Sequence, residues 1–422
     1  MKYIKKDCGS FNLHMIKTNK FKTINMSIIF RDKIKKEDIT IRNFLSDILV
    51  YSNNKYKKRK QMKQKQQDLY SVGLSTKTYR LGNYYNNEFN LNFLDEKYSE
   101  EGMFEQSIEF LSDIIFNPNI TNKSFDKTSF EIIKENTKKQ IESIKENTSK
   151  YSMIRLLENM DKNMPYAYHS FGYMEDLEKI TPESLYEYYL GFINKNMIDI
   201  FIIGNIDFNQ TENIIKEKFK FRTFKTKPID TIIKHKKIRK TIKKLVEEEK
   251  IAQSKLAIGC KIGDITEFER NYVLTLYNII LGGGSNSKLF EDIREKNSLC
   301  YNVYSSPYKL DSILLIGAGI ARKNADKTIR LVKKNLKDME KGLFDEESIK
   351  KAQNKYISSV NSIEEYPLML ISSYYAMELL GTDEPEERKK QIMKVTYEDI
   401  KNLAKKISID TVYLLGGETS NE

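Results

Sequence analysis

The chain has 422 residues, enough for two to four compact units with cores of their own. Apolar residues make up 40% and charged residues 31%, and no run approaches the roughly 20 apolar residues that a membrane span needs, so no membrane partner is expected. The net charge of +12 invites a nucleic-acid reading. However, the densest basic run (Lys55, Lys57, Lys58, Arg59, Lys60, Lys63 and Lys65) belongs to no recognisable binding module, and a solvated surface is its expected role.

Met1 to Asp7 is positively charged but has no apolar segment behind it, so no signal peptide is expected. Cys8, Cys260 and Cys300 are odd in number and far apart. They fit reduced thiols and a cytoplasmic address better than a disulfide framework.

In chain order, Asn25 to Phe30 reads as a strand and Ile41 to Tyr51 as the helix after it. Phe89, Leu91 and Phe93 alternate with polar residues as a half-buried strand does, and Phe104, Ile108, Leu111 and Ile115 form a helical stripe. Phe125-Asp126 opens a long helical region. Thr181 stands where an N-cap should be, with acid in the following turn, and the helix leads into the apolar strand Ile198 to Gly204. A charged segment, residues 222–249, contains Pro228 and the basic run Lys234 to Lys240 and reads as a linker.

The same order then recurs. Lys255 to Cys260 reads as a strand and Arg270 to Leu281 as a helix; Ile313 to Ile320 is a strand and Ala325 to Met339 a helix. Phe344-Asp345 opens another helical region, 219 residues after Phe125-Asp126, and Thr396 caps a helix leading into Asp410 to Gly416, 215 residues after Thr181. A common order at a near-common offset predicts a tandem duplication: residues 1–221 and 250–422 are two homologous α+β halves, each a mixed or antiparallel sheet with helices packed on one face.

The most informative stretch is Leu281-Gly282-Gly283-Gly284-Ser285-Asn286-Ser287-Lys288-Leu289-Phe290, continuing through Ile293-Arg294-Glu295 to Leu299-Cys300-Tyr301-Asn302-Val303. Three glycines after an apolar helix allow a tight turn and close approach by another backbone. The spacing of a Walker A loop is absent. The stretch closely resembles the second-half signature of the pitrilysin/insulinase/mitochondrial processing peptidase family, with Lys288 in place of the usual arginine; residues 166–189 resemble its YmfF-like branch, which lacks the zinc motif. The resemblance implies a half-clamshell made of the two halves. It also implies substrate-peptide contacts by Arg294 and Tyr301 and by a Gly-rich loop matching Gly282, Gly283 and Gly284.

Active members of that family carry H-x-x-E-H on the first helix, two histidines holding zinc and the glutamate activating its water. The corresponding helix here carries Asn43 to Asp47. His14, His169 and His235 are the only histidines and none are four apart, so the motif cannot occur anywhere in the chain. Glu135 and Glu142 resemble the downstream glutamates of active members, yet they suit a solvated helix face as well. No catalytic residue, metal ligand or cofactor is expected. By resemblance, the chain is expected to be a noncatalytic subunit whose partner is a homologous H-x-x-E-H zinc peptidase chain. The alternative is a peptide-binding scaffold, a homodimer without catalysis.

Overall fold

The computed structural model describes residues 1–223, 229–235 and 238–416. Pro228, and Lys236 and Lys237 of the second basic run, lie outside them. In chain order the elements are β1 (Lys2–Asp7), β2 (Asn12–Lys17), β3 (Thr23–Lys33), α1 (Ile39–Tyr51), α2 (Arg59–Asp68), β4 (Gly73–Leu81), β5 (Tyr84–Leu94), α3 (Met103–Phe116), the short hairpin β6 (Ile120–Thr121) and β7 (Ser124–Phe125), α4 (Lys127–Glu142), α5 (Thr148–Met160), α6 (Met174–Lys179), α7 (Pro182–Lys195), β8 (Met197–Gly204) and α8 (Phe208–Lys218). There follow β9 (Lys243–Glu248), β10 (Ser254–Ile262), α9 (Leu274–Gly282), β11 (Cys300–Tyr308), β12 (Ile313–Ile320), α10 (Ala325–Lys341), α11 (Glu346–Ile363), α12 (Pro367–Leu380), α13 (Pro385–Met393), α14 (Tyr397–Ala404) and β13 (Ile407–Gly416).

The expected mixed α+β architecture is present as two large sheets. One runs β1-β2-β8-β3-β5-β4 and the other β11-β12-β10-β13-β9. Apart from β1, the orders match strand for strand when the second is read backwards. β8 pairs in parallel with β2 and antiparallel with β3; β13 does the same with β9 and β10. A duplicated sequence has given a duplicated topology.

The repeated signals act as caps. Thr181 Oγ1 accepts from Ser184 N at 3.1 Å, and Thr396 Oγ1 accepts from Asp399 N at 3.2 Å. Asp126 and Asp345, the second members of the two Phe-Asp pairs, accept from Ser129 N and Ser348 N at 2.8 Å each. Each bond satisfies one of the orphan donors of a helix N-terminus.

The last strands also share a buried charge. Asp199 on β8 meets Arg31 Nη1 at 3.3 Å and His14 Nε2 at 3.1 Å; Asp410 on β13 meets Lys261 Nζ of β10 at 3.3 Å and Arg239 Nε at 3.2 Å. Burial opposes ionisation of Asp199, but the hydrogen bond from His14 and the charge of Arg31 outweigh it and hold its carboxyl below the usual range.

Contacts divide the chain into two compact units: residues 1–142, 169–229 and 366–372, and residues 143–168, 230–365 and 373–422. In the first, Leu13, Met15, Met26, Ile28, Phe30, Phe89, Leu91, Ile200 and Ile202 bury one sheet face against helices that include α1 and α3. In the second, Leu256, Ile258, Cys260, Leu314, Ile316 and Val412 do the same with α9, α10 and α14. Part of the expected linker, Lys243 to Glu248, is the edge strand β9. Its lysines and glutamates suit a sheet edge.

The second sheet carries helix on its other face as well. Although α5 precedes β8 in the chain, it belongs to the second unit. Leu156 and Met160 of α5 pack with Ala257, Ile313, Leu315, Tyr413 and Leu415. The close approach depends on glycine: a Cβ at Gly259 would lie 2.2 Å from Met160 Sδ. Among the described residues no helix is long and apolar enough to cross a membrane.

Truncating a fully buried leucine that seals this face should cost about 2–5 kcal/mol. Leu156→Ala is therefore expected to speed amide exchange across β10, β12 and β13 while leaving β3 and β5 of the first unit protected.

Candidate functional site

The chain from Gly282 to Tyr304 builds the site in the second unit. α9 ends at Gly282, where a Cβ would fall 2.7 Å from Ser305 N, so glycine lets the helix end rest against β11. Gly283 has backbone at its own Cβ position, Ile279 Cα at 2.7 Å, and its carbonyl accepts from Lys355 Nζ at 2.6 Å. Gly284 takes a φ of +154°. Ser287 then closes the turn, donating from N and Oγ to Gly284 O at 3.1 and 2.6 Å. All three glycines thus have structural work in the turn itself.

Phe290–Glu295 is a π-helical segment, a wide turn that recurs at functional sites. It ends in a reversal in which Ser298 adopts φ +48° and its N–H bonds to Arg294 O at 2.9 Å. That reversal swings β11 back beside Arg294. The guanidinium lies over the Tyr301 ring at 5.2 Å from its centroid and over Phe290 at 4.6 Å. The two residues expected to act together are therefore in contact, although Tyr301 keeps 79% of its surface exposed. A guanidinium on an aromatic face contributes about 0.5–1 kcal/mol at an exposed site, which pre-orients both groups at little cost. The arginine's N–H fork and the phenol can both bond to the backbone of an extended peptide.

Tyr301 also borders a groove of about 100 Å³ between α5 and the strands, with Ser152, Met153, Asn302, Tyr304 and Gly319 among its walls. Sequence reading missed α5 as a wall, because nothing local in Ser149 to Met153 points to the second sheet. It also missed Phe290 as the second ring beneath Arg294, though its place in the signature four residues earlier was an available signal.

In the first unit, the helix position of the missing zinc motif holds a different polar arrangement. Asn43 on α1 donates to Ser170 O at 2.8 Å and accepts from Tyr85 Oη at 2.7 Å. Its neighbour Arg42 is buried and donates to Asn87 Oδ1 at 2.7 Å and Asn196 Oδ1 at 3.0 Å, while Asn87 donates to Ser46 Oγ. One turn after Asn43, burial pushes the Asp47 carboxyl up to about 6, with only a 3.5 Å contact from Thr76 opposing it. Glu135 and Glu142 are exposed and paired along α4 with Lys139 at 3.3 Å and Lys138 at 4.0 Å.

The histidines have separate settings. His14 is in the Asp199 cluster, His169 stacks on Tyr173, and His235 bonds to Asp311 O at 2.9 Å. Among the described residues, no group of three His, Cys, Asp or Glu side chains is placed to hold a metal ion.

Residues 179–356 match the family model described as "Peptidase M16 inactive domain". A Bacillus subtilis (strain 168) protein described as "Probable inactive metalloprotease YmfF" is 28% identical over 418 residues, covering 98% of this chain and 97% of that one. The crystal structure of a conserved protein from Enterococcus faecalis V583 superposes with a TM-score of 0.92 at 26% identity, over 100% of both chains. A Pseudomonas fluorescens structure described as a peptidase M16 inactive domain gives 0.82 at 16% identity, again over 100% of both, and shows the shared fold.

Two substitutions test the local physics. Gly282→Ala is expected to lower the stability of the second unit by about 1–3 kcal/mol, because the Cβ meets the Ser305 backbone N at 2.7 Å as well as that residue's side chain; a denaturant melt checks it. Asp47 has a native pKa above its unfolded value, so its ionised form is the one the fold disfavours. That cost is absent below about pH 4, grows as pH rises through 6 and is complete above it. Asp47→Asn should therefore stabilise the protein by roughly 1–3 kcal/mol at pH 7.5, with the gain shrinking toward zero near pH 4.

Proposed function

We propose that this chain, which is similar to inactive metallopeptidase homologues of the peptidase M16 family, is the noncatalytic, substrate-contacting subunit of a two-chain zinc peptidase. The partner is a homologous chain carrying H-x-x-E-H. Zinc held by that partner supplies the activated water that attacks the peptide bond. This chain contributes binding and orientation: Arg294 and Tyr301 hold the backbone of an extended peptide, and the Gly282–Gly284 turn lets it approach closely. The reading places both chains in the cytoplasm.

The observation that carries the proposal is the Arg294–Tyr301 contact. A largely exposed tyrosine held under a guanidinium at 5.2 Å has little role in the core and is set up to meet a ligand. The family resemblance supports the pairing, since a chain of this length supplies two of the four homologous domains that a closed chamber uses.

Co-expression with an H-x-x-E-H homologue of similar length from the same genome tests it. The two chains should copurify and cleave members of a fluorogenic peptide library, and a chelator should stop the cleavage. Arg294→Ala and Tyr301→Ala should each lower kcat/KM by about ten- to a hundredfold, the scale of a mispositioned substrate, with the pair still assembled. A chain that stays monomeric beside that homologue, or a double variant with undiminished cleavage, would sink the proposal.

A further inference from the structure

The basic run Lys55 to Lys65 takes no part in the Arg294 site, and the fold gives it a specific setting in the first unit. α2 opens with Lys58 at its N-cap, followed by Arg59 and Lys60, and has no acid in its first turn; Gln61 Oε1 accepts from Lys58 N at 3.0 Å, but the N-cap side chain accepts from none of the helix N–H groups. A helix N-terminus carries about half a positive charge, so cations there are repelled unless an anion offsets them.

The same residues border a cavity of about 570 Å³, within the usual range for small-molecule sites. Lys57, Lys58 and Arg59 line it together with Lys127 from the first turn of α4, and Tyr51 and Phe125 add aromatic surface. Arg59 is held in place, donating from Nη1 to Val50 O at 2.8 Å with its guanidinium 5.5 Å from the Tyr51 ring centroid. The one carboxylate in the lining, Asp126, is already engaged by the N–H and hydroxyl of Ser129, both at 2.8 Å. Lys55 is committed to Asp113 at 2.7 Å. Among the described residues, Lys57, Lys58 and Lys127 make no ion pair. Four cations thus converge on a concavity at a helix start whose N-cap side chain is a cation and not an acceptor, an arrangement locally unfavourable for folding.

We propose that this cavity binds a phosphate-bearing small molecule. Its oxyanion meets Lys57, Lys58, Lys127 and the first N–H groups of α2, and its organic portion lies against Tyr51 and Phe125. Dense positive charge around one concavity suits a multiply charged phosphate group better than an extended acidic chain, which a linear basic stripe would track.

The probe is inorganic pyrophosphate, titrated calorimetrically into the full-length protein without divalent metal at 0.15 M salt. One site per chain is expected. Lys57→Gln/Lys58→Gln should weaken it at least about tenfold, the equivalent of one lost charge-assisted contact, Lys127→Gln should weaken it severalfold, and Lys250→Gln in the other unit should leave it unchanged. Lys58→Asp separates folding from binding: it supplies the missing N-cap acceptor, so the melting temperature should hold or rise while pyrophosphate binding is lost. The proposal is overturned by no saturable binding, by equal affinity in the Lys57/Lys58 variant, or by a deca-glutamate peptide that binds the cavity more tightly than pyrophosphate does.

Discussion

The pairing on which the rest depends is the return of each half's last strand to the middle of its own sheet. β8 slots between β2 and β3, and β13 between β9 and β10. Neither sheet has a centre until its half is complete, so the pairing is long-range and its loop-closure entropy must be met by the hydrophobic face it completes. Each returning strand also carries an aspartate into the interior, where it is tolerated because a cation from the antiparallel neighbouring strand, β3 or β10, arrives with it: Arg31 for Asp199, Lys261 for Asp410. A buried charge of this kind adds little net stability when paired and costs several kcal/mol when its partner is removed. It therefore acts more as a register pin than as a source of stability.

This scaffold carries two different polar arrangements. On α1, asparagine, serine and a buried arginine form a closed hydrogen-bond network with Asn87, Asn196 and Tyr85. The donors and acceptors are satisfied by the protein itself. In the second unit the corresponding need is met differently. The glycine turn and the reversal at Ser298 use backbone bonds to fix the geometry, leaving the side chains of Arg294 and Tyr301 turned outward.

Much of this was legible in the sequence where the signal is local. The two threonine caps, the two Phe-Asp pairs, the alternating Phe89-Leu91-Phe93 strand and the Gly-rich turn each act within a few residues, and each sits on the expected element. The Arg294–Tyr301 pairing was legible through the family resemblance, and a π-helical segment and a reversal bridge the two residues. The buried Asp–cation pairs were missed because a single acid inside an apolar strand says nothing of which distant cation will reach it. β9 was hidden for a similar reason: Lys243-Lys244-Leu245-Val246-Glu247-Glu248 has the composition of a linker, and only the position of β13 makes it an edge. The placement of α5 was illegible because its partners Ala257, Ile313, Leu315, Tyr413 and Leu415 lie on three strands far later in the chain.

That helix has a consequence for how the molecule can be made and divided. During synthesis α5 leaves the ribosome well before the sheet it covers exists, so Leu156 and Met160 must wait while the first unit closes around the segments on either side of it. A cut at the apparent linker would give one fragment an orphan apolar helix and the other a sheet with a bare glycine-lined back. The duplication is thus tandem in ancestry yet interlaced in the finished chain, and its two halves are one folding problem.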